Sequence, residues 1–164
     1  MKNVHSLIAC KKGAAAAEMA LVTPLLIIIM FGIFEAGNFF WNQHIVSTAV
    51  RDGARFAARN PLSEFAGCVP SASVVTATRN VTRTGRVAGG TPRIADWTDG
   101  TTTITVTSPC NSTTTSGIYV NYPAGAPVVN VTATVTYNAL FNNLGFTTTN
   151  LSMEANAQAA VMGF

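Results

Sequence analysis

An α+β protein is what this 164-residue sequence predicts. A long N-terminal helix, membrane-spanning in its first half and amphipathic in its second, packs on a small antiparallel β-sheet head. Three observations carry that expectation. A charge-free apolar run extends from Met19 to Phe34. An apolar periodicity of three and four residues then continues to Asn60, where Pro61 ends it. Beyond Leu62 the composition turns to Thr, Val, Asn and Gly, with three runs of alternating apolar and polar residues.

The first half of the helix is set by length and charge. Sixteen residues separate Glu18 from Glu35, about 24 Å at helical rise, so with its flanks the segment reaches across a bilayer. Lys2, Lys11 and Lys12 precede the run, and no Lys or Arg follows it until Arg51. The positive-inside rule then puts the N-terminus in the cytoplasm and everything after about Phe40 outside it. Only 10% of residues are charged and the mean hydropathy is positive, which favours membrane or assembly roles over free cytosolic life. An ordinary secretory signal is the plain alternative. Against it, the run is long, carries Glu18 near its start, and ends at Phe34-Glu35-Ala36-Gly37 without a small-x-small cleavage site. Pro24 removes one helical hydrogen bond and opposes the carbonyl of Ala20, so the helix is expected to be interrupted there and nowhere else.

In the second half, Ile45, Ala49, Gly53 and Phe56 form one apolar row and Val46, Val50, Ala54 and Ala57 a neighbouring one. Ser47, Thr48, Arg51, Asp52, Arg55 and Arg59 fill the opposite face. Straight, the helix from Ala14 to Asn60 measures about 70 Å, far more than a bilayer needs. Its amphipathic face therefore has to lie against a head, because left bare it would aggregate. In that head, Ser71 to Thr82 reads as a short helix capped by Ser71 or Ser73, with Val74, Val75, Thr78 and Val81 on one face. Gly85 to Asp99 reads as loop. The alternating runs are Thr102-Ile104-Val106, then Val129-Val131-Ala133-Val135-Tyr137, then Leu151-Met153-Ala155-Ala157-Ala159. Three successive strands with no intervening helices imply an antiparallel meander. The last run, Ser152 to Ala160, is also compatible with helix by propensity.

The N-terminal stretch Gly13-Ala14-Ala15-Ala16-Ala17-Glu18 follows Lys11 and Lys12 and places one carboxylate five residues into a hydrophobic helix. An unpaired carboxylate in hydrocarbon costs several kcal/mol, and an isolated anchor gains nothing from it. A subunit that must find a positive partner inside the membrane does. The spacing resembles the type IV prepilin signal. The longer string Lys12-Gly13-Ala14-Ala15-Ala16-Ala17-Glu18-Met19-Ala20-Leu21-Val22-Thr23-Pro24-Leu25-Leu26 is similar to the TadE-like family of pseudopilins from tight-adherence (Flp) pilus systems of bacteria. Ala49-Val50-Arg51-Asp52-Gly53-Ala54-Arg55-Phe56-Ala57-Ala58 also resembles that family, which tends to carry an Arg-x-Gly-Ala-Arg pattern there. Ala14 and Met19 stand where many major pilins have other apolar or aromatic residues.

The resemblance implies a pilin-like lollipop with a leader at 1–13, a transmembrane half of the stem at 14–41, an amphipathic half at 42–60 and an α+β head at 61–164. It implies removal of Met1 to Gly13 by a membrane aspartyl prepilin peptidase, with Gly13 and Ala14 flanking the cut. It also implies that Glu18 pairs with the new N-terminal amine of a neighbouring subunit, an intramolecular pair with Ala14 being the alternative. Pro24 would accompany local melting of the helix on assembly. After that cut, seven Arg balance seven acids, and no basic stripe favours nucleic acid. Cys10 goes with the leader, leaving Cys68 and Cys110 as one possible disulfide in an oxidising compartment.

Reagents for catalysis are missing from the sequence. His5 lies in the leader, and His44 stands alone as an interfacial polar residue. No HExxH, GxSxG or Gly-rich phosphate loop occurs. Asp96 and Asp99 flank Trp97 in a loop, where they cap a turn while Trp97 covers the sheet. The N-x-Ser/Thr sequons at Asn80, Asn111, Asn130 and Asn150 are chance products of a Thr-rich chain. The expected function is that of a minor pilin of a Flp-type pilus or related secretion machine, not an enzyme, with no cofactor and no metal. Its expected partners are the prepilin peptidase, other pilin subunits and the inner-membrane assembly platform. Its expected place is the bacterial inner membrane with the C-terminal domain outside the cytoplasm, or the pilus surface after assembly. A membrane-anchored binding module or adhesin, and an exported domain released by signal peptidase, remain open.

Overall fold

The computed structural model describes residues 11–95, 97, 103–111, 117–122, 124–142 and 151–163. Most of the leader (with His5 and Cys10), Asp96, Asp99, Thr102, Asn150 and the adjoining stretch 143–149 lie outside the described residues. The chain divides into two compact units, Met1–Asn38 and Phe39–Phe164.

Helix α1 spans Lys11–Ala58, supplying the first unit and entering the second. Within the first unit, residues 13–30 are exposed without exception, and the helix is long and apolar enough to cross a membrane. Pro24 does not interrupt it. A proline deletes a single N–H from the ladder, and the bonds on either side hold the turn together, as in other apolar helices. Thr23 Oγ1 donates to the Met19 carbonyl oxygen at 2.6 Å, one turn back. At the other end, Asn60 Nδ2 lies 3.1 Å from the carbonyl oxygens of both Phe56 and Ala57. It thus satisfies acceptors that a helix terminus leaves open, and Pro61 forbids continuation.

A kinked run of 3₁₀ turns, Leu62–Cys68, follows and buries Phe65. Helix α2, Ala72–Thr84, starts at Ser71, whose side chain accepts from the Val74 N–H. It stops at Gly85 in the left-handed conformation, whose N–H donates to Val81 O at 2.8 Å. The buried face of α2 is Val74, Thr78 and Thr82, whereas Val81 is half-exposed. Thr82 takes the inner position because its hydroxyl donates to Thr78 O at 2.8 Å, which leaves its methyl for packing.

Four strands make one antiparallel sheet: β1 (Ile104–Thr107), β2 (Cys110–Asn111), β3 (Ala126–Thr136) and β4 (Ser152–Ala160). The long β3 is central. It pairs with β4 along one side, from Val128↔Ala160 to Thr136↔Ser152. Along the other it pairs with β1 (Ile104↔Ala133 to Thr107↔Asn130) and, in unbroken register, with β2 (Cys110↔Pro127). β1 and β2 are thus one edge strand broken at Pro109, which lacks an N–H but whose carbonyl accepts from Val128 N at 3.1 Å. The meander expected from the three alternating runs is present, and Ser152–Ala160 is strand. Pairing with β3 decides that segment over its helical propensity.

One apolar core fills the second unit. Val129, Val131, Ala133, Val135 and Tyr137 on the inner face of β3 meet Val46, Ala49, Val50, Ala54 and Ala57 of α1, with Phe65, Val74, Trp97, Ile104, Met153 and Val161 around them. Ring contacts extend it at one end, where Phe39 and Tyr137 stack edge to face with centroids 5.2 Å apart. At about 25 cal/mol per Å² of apolar surface removed from water, this cluster is the main force holding the head together.

Candidate functional site

The sequence-derived processing and assembly residues, Gly13 to Pro24, lie within about three turns of α1. Gly13 is helical and has no heavy atom within 4 Å of where a Cβ would sit. Ala14, Glu18 and Pro24 are likewise exposed. Among the described residues, the Glu18 carboxylate makes no hydrogen bond or ion pair. Gly13 carries the largest entropic cost of any residue in a helix, roughly 0.5–1 kcal/mol relative to Ala.

The Arg-x-Gly-Ala-Arg segment has a structural reading that sequence did not supply. A Cβ on Gly53 would lie 2.0 Å from Thr82 Oγ1, so the absence of a side chain at Gly53 lets α1 and α2 pack closely there. Ala54, next to it, is 1% exposed and belongs to the core. Asp52 pairs with Arg93, Nη2 to Oδ2 at 2.8 Å, fastening the loop after α2 to α1. Arg93 is itself positioned by its N–H donating to Arg83 O at 2.9 Å. The flanking Arg51 and Arg55 are exposed. Asp52 and Arg93 lie 41 residues apart, a distance at which no local spacing signals a contact.

Cys68 and Cys110 form a disulfide, with Cα atoms 5.4 Å apart. It ties the 3₁₀ segment after α1 to β2. Cys68 has a positive φ of 61°, unusual for a residue other than glycine, and follows Gly67 at φ 62°. The same region is held by Tyr122, whose hydroxyl lies 2.7 Å from Leu62 O and 2.6 Å from Phe65 O. Trp97 is 1% exposed, and its Nε1–H donates to Thr103 Oγ1 at 2.9 Å. It does cover the sheet, while Asp96 and Asp99 lie outside the described residues. His44 is exposed, and among the described residues no three His, Cys, Asp or Glu side chains gather as a metal site.

Together these features define an α+β protein whose disulfide-closed head continues from an apolar helix of membrane-crossing length. The family model described as TadE-like protein matches residues 13–55, so the chain carries a TadE-like segment that begins at Gly13 and ends at Arg55. That match covers Glu18, Pro24 and the Arg-x-Gly-Ala-Arg pattern, and it is consistent with a pilin-family protein anchored in a membrane. Comparison with curated proteins and with solved structures finds no match.

Proposed function

We propose that this chain is a minor pilin of a Flp/Tad-type pilus or a related secretion machine, acting by assembly and adherence. The observation that carries the reading is the TadE-like match starting at Gly13, with Glu18 exposed on an apolar helix and without a partner among the described residues. A prepilin peptidase cuts between Gly13 and Ala14, generating a cationic amine on Ala14. Glu18 then lies just over one turn from that amine and pairs with the amine of a neighbouring subunit. Pairing offsets much of the cost of holding either charge in hydrocarbon and fixes subunit register. Pro24 is the place where the helix loosens on entry into a filament. The head stands outside the cytoplasm, and the inner-membrane assembly platform and other pilins are its partners.

Mass spectrometry of the mature chain, from cells with and without the peptidase, tests the reading. Loss of thirteen residues that requires the peptidase supports it. An intact N-terminus points to a plain membrane-anchored binding module, and loss of about thirty-six residues to a domain released by signal peptidase. Gly13→Leu is expected to remain unprocessed, because a side chain before the cut obstructs the approach of extended backbone to the peptidase carboxylates.

A further inference from the structure

β4 has an open edge. Its odd-numbered residues bond to β3: Tyr137 N–H donates to Leu151 O at 2.9 Å and Val161 N–H to Pro127 O at 3.0 Å. Its even-numbered residues therefore turn their N–H and C=O groups away from the sheet. Among the described residues, hydrogen bonds between this edge and helix α1 are made at two points. Gln43 Nε2 donates to Glu154 O at 2.8 Å, and Met162 N–H donates to Ala58 O at 3.0 Å. Between them, the outward backbone groups of Asn156, Gln158 and Ala160 have no partner among the described residues.

Two concavities lie along the same seam. One, about 420 Å³, is lined by Ser47 and Arg51 of α1 and by Glu154 to Asn156 of β4. The other, about 510 Å³ and largely apolar, lies between Arg55, Ala58 and Arg59 and the residues Ala159, Ala160 and Met162. Arg51, Arg55 and Arg59 recur every fourth residue, so they form one row about 12 Å long beside the edge. All three are exposed, and among the described residues their guanidinium groups make no hydrogen bond or ion pair.

We propose that this seam is a docking slot for an extended acidic segment of a partner protein, which joins the sheet as a further strand on β4. An added strand satisfies the unpaired N–H and C=O groups, as strand addition to a sheet edge requires. Successive arginines in the row are about 6 Å apart, and alternate residues of a strand about 6.8 Å apart. Carboxylates at every second position of the incoming strand therefore match the row one for one. Charge decides the class of partner: a neutral strand would leave three cations unpaired, and a basic one would be repelled. The slot lies wholly within the second unit, so it does not depend on the pilin reading.

The test uses the full chain purified in detergent and a labelled nine-residue peptide that alternates glutamate with threonine or valine. Saturable binding, weakened by salt, is expected from fluorescence anisotropy. The same peptide with lysine for glutamate should not bind. Replacing Arg51, Arg55 and Arg59 together with Gln should weaken binding about tenfold or more, the scale of several charge-assisted contacts. Gln158→Pro removes an outward N–H without touching the β3 ladder, so it should abolish binding while the Cys68–Cys110 bond and the thermal midpoint persist. A glutamate peptide N-methylated at alternate amides should fail on the unaltered protein, which keeps the test decisive if Gln158→Pro misfolds. Absence of binding by the glutamate peptide, equal binding of the lysine peptide, or indifference to backbone methylation overturns the proposal. Linear polyphosphate binding as well as the peptide, and unaffected by Gln158→Pro, would make the row an anion site and overturn it too.

Discussion

Glu18 and Gly53 show how differently one residue can matter in the two units. Glu18 is an exposed charge with no hydrogen bond or ion pair among the described residues, and the role proposed for it is to meet an amine on assembly. Glu18→Ala is expected to be cut at Gly13 and inserted normally, yet to fail to co-isolate with other pilins and to lower piliation. Wild-type assembly of this variant would reduce Glu18 to a local partner of the helix N-terminus. Gly53 matters through the space it leaves. A Cβ there runs into Thr82 Oγ1 at 2.0 Å, and the hydroxyl cannot swing away without losing its bond to Thr78 O. Gly53→Val should therefore destabilise the head by about 1–3 kcal/mol, the usual cost of overpacking, read from the denaturant midpoint. Thr82→Ala in the same chain should recover part of that loss, because the clash is with this one side chain.

At the scale of elements, most boundaries were legible because each had a local cause. Ser71 and Gly85 bracket α2 through a side-chain cap and a left-handed turn, and Asn60-Pro61 stops α1. The run from Val129 to Tyr137 buries every second residue as its alternation implies. What stayed hidden depends on partners distant in sequence. The β2 fragment rests on Pro109 breaking an edge strand, and the choice of Thr82 over Val81 depends on a glycine in another helix. The arginine row was visible as a polar face, but the open strand edge beside it could not be read before β4 was placed. The disulfide was legible as a pairing because two cysteines allow a single connectivity. It encloses a 42-residue separation, for which chain-entropy estimates give about 4 kcal/mol. Cys68→Ser with Cys110→Ser should accordingly lower head stability by up to that amount. A loss under about 1 kcal/mol would mean that the clasp of Tyr122 on Leu62 and Phe65 holds the segment without it.

For the whole molecule, the division at Asn38 and Phe39 carries a direct expectation. Every member of the core cluster lies beyond Phe39, and the disulfide and both helix caps lie there as well. A fragment of residues 39–164 should therefore be soluble and unfold in one cooperative transition, measured by circular dichroism with the disulfide intact. A broad, non-cooperative melt would show that the head needs the preceding apolar helix to fold. The two tryptophans give the protein an optical signature of its own condition. Trp97 is sealed in the core with its indole N–H bonded, and Trp41 is 68% exposed on α1. In the fragment 39–164, which lacks the apolar run, denaturant has to shift the emission of Trp97 to the red as the core opens, whereas Trp41 already emits from an open setting. A collisional quencher added to the folded fragment reaches Trp41 first. The intrinsic fluorescence therefore separates into a quenchable component that follows the surroundings of the stem and a protected one that follows the integrity of the head.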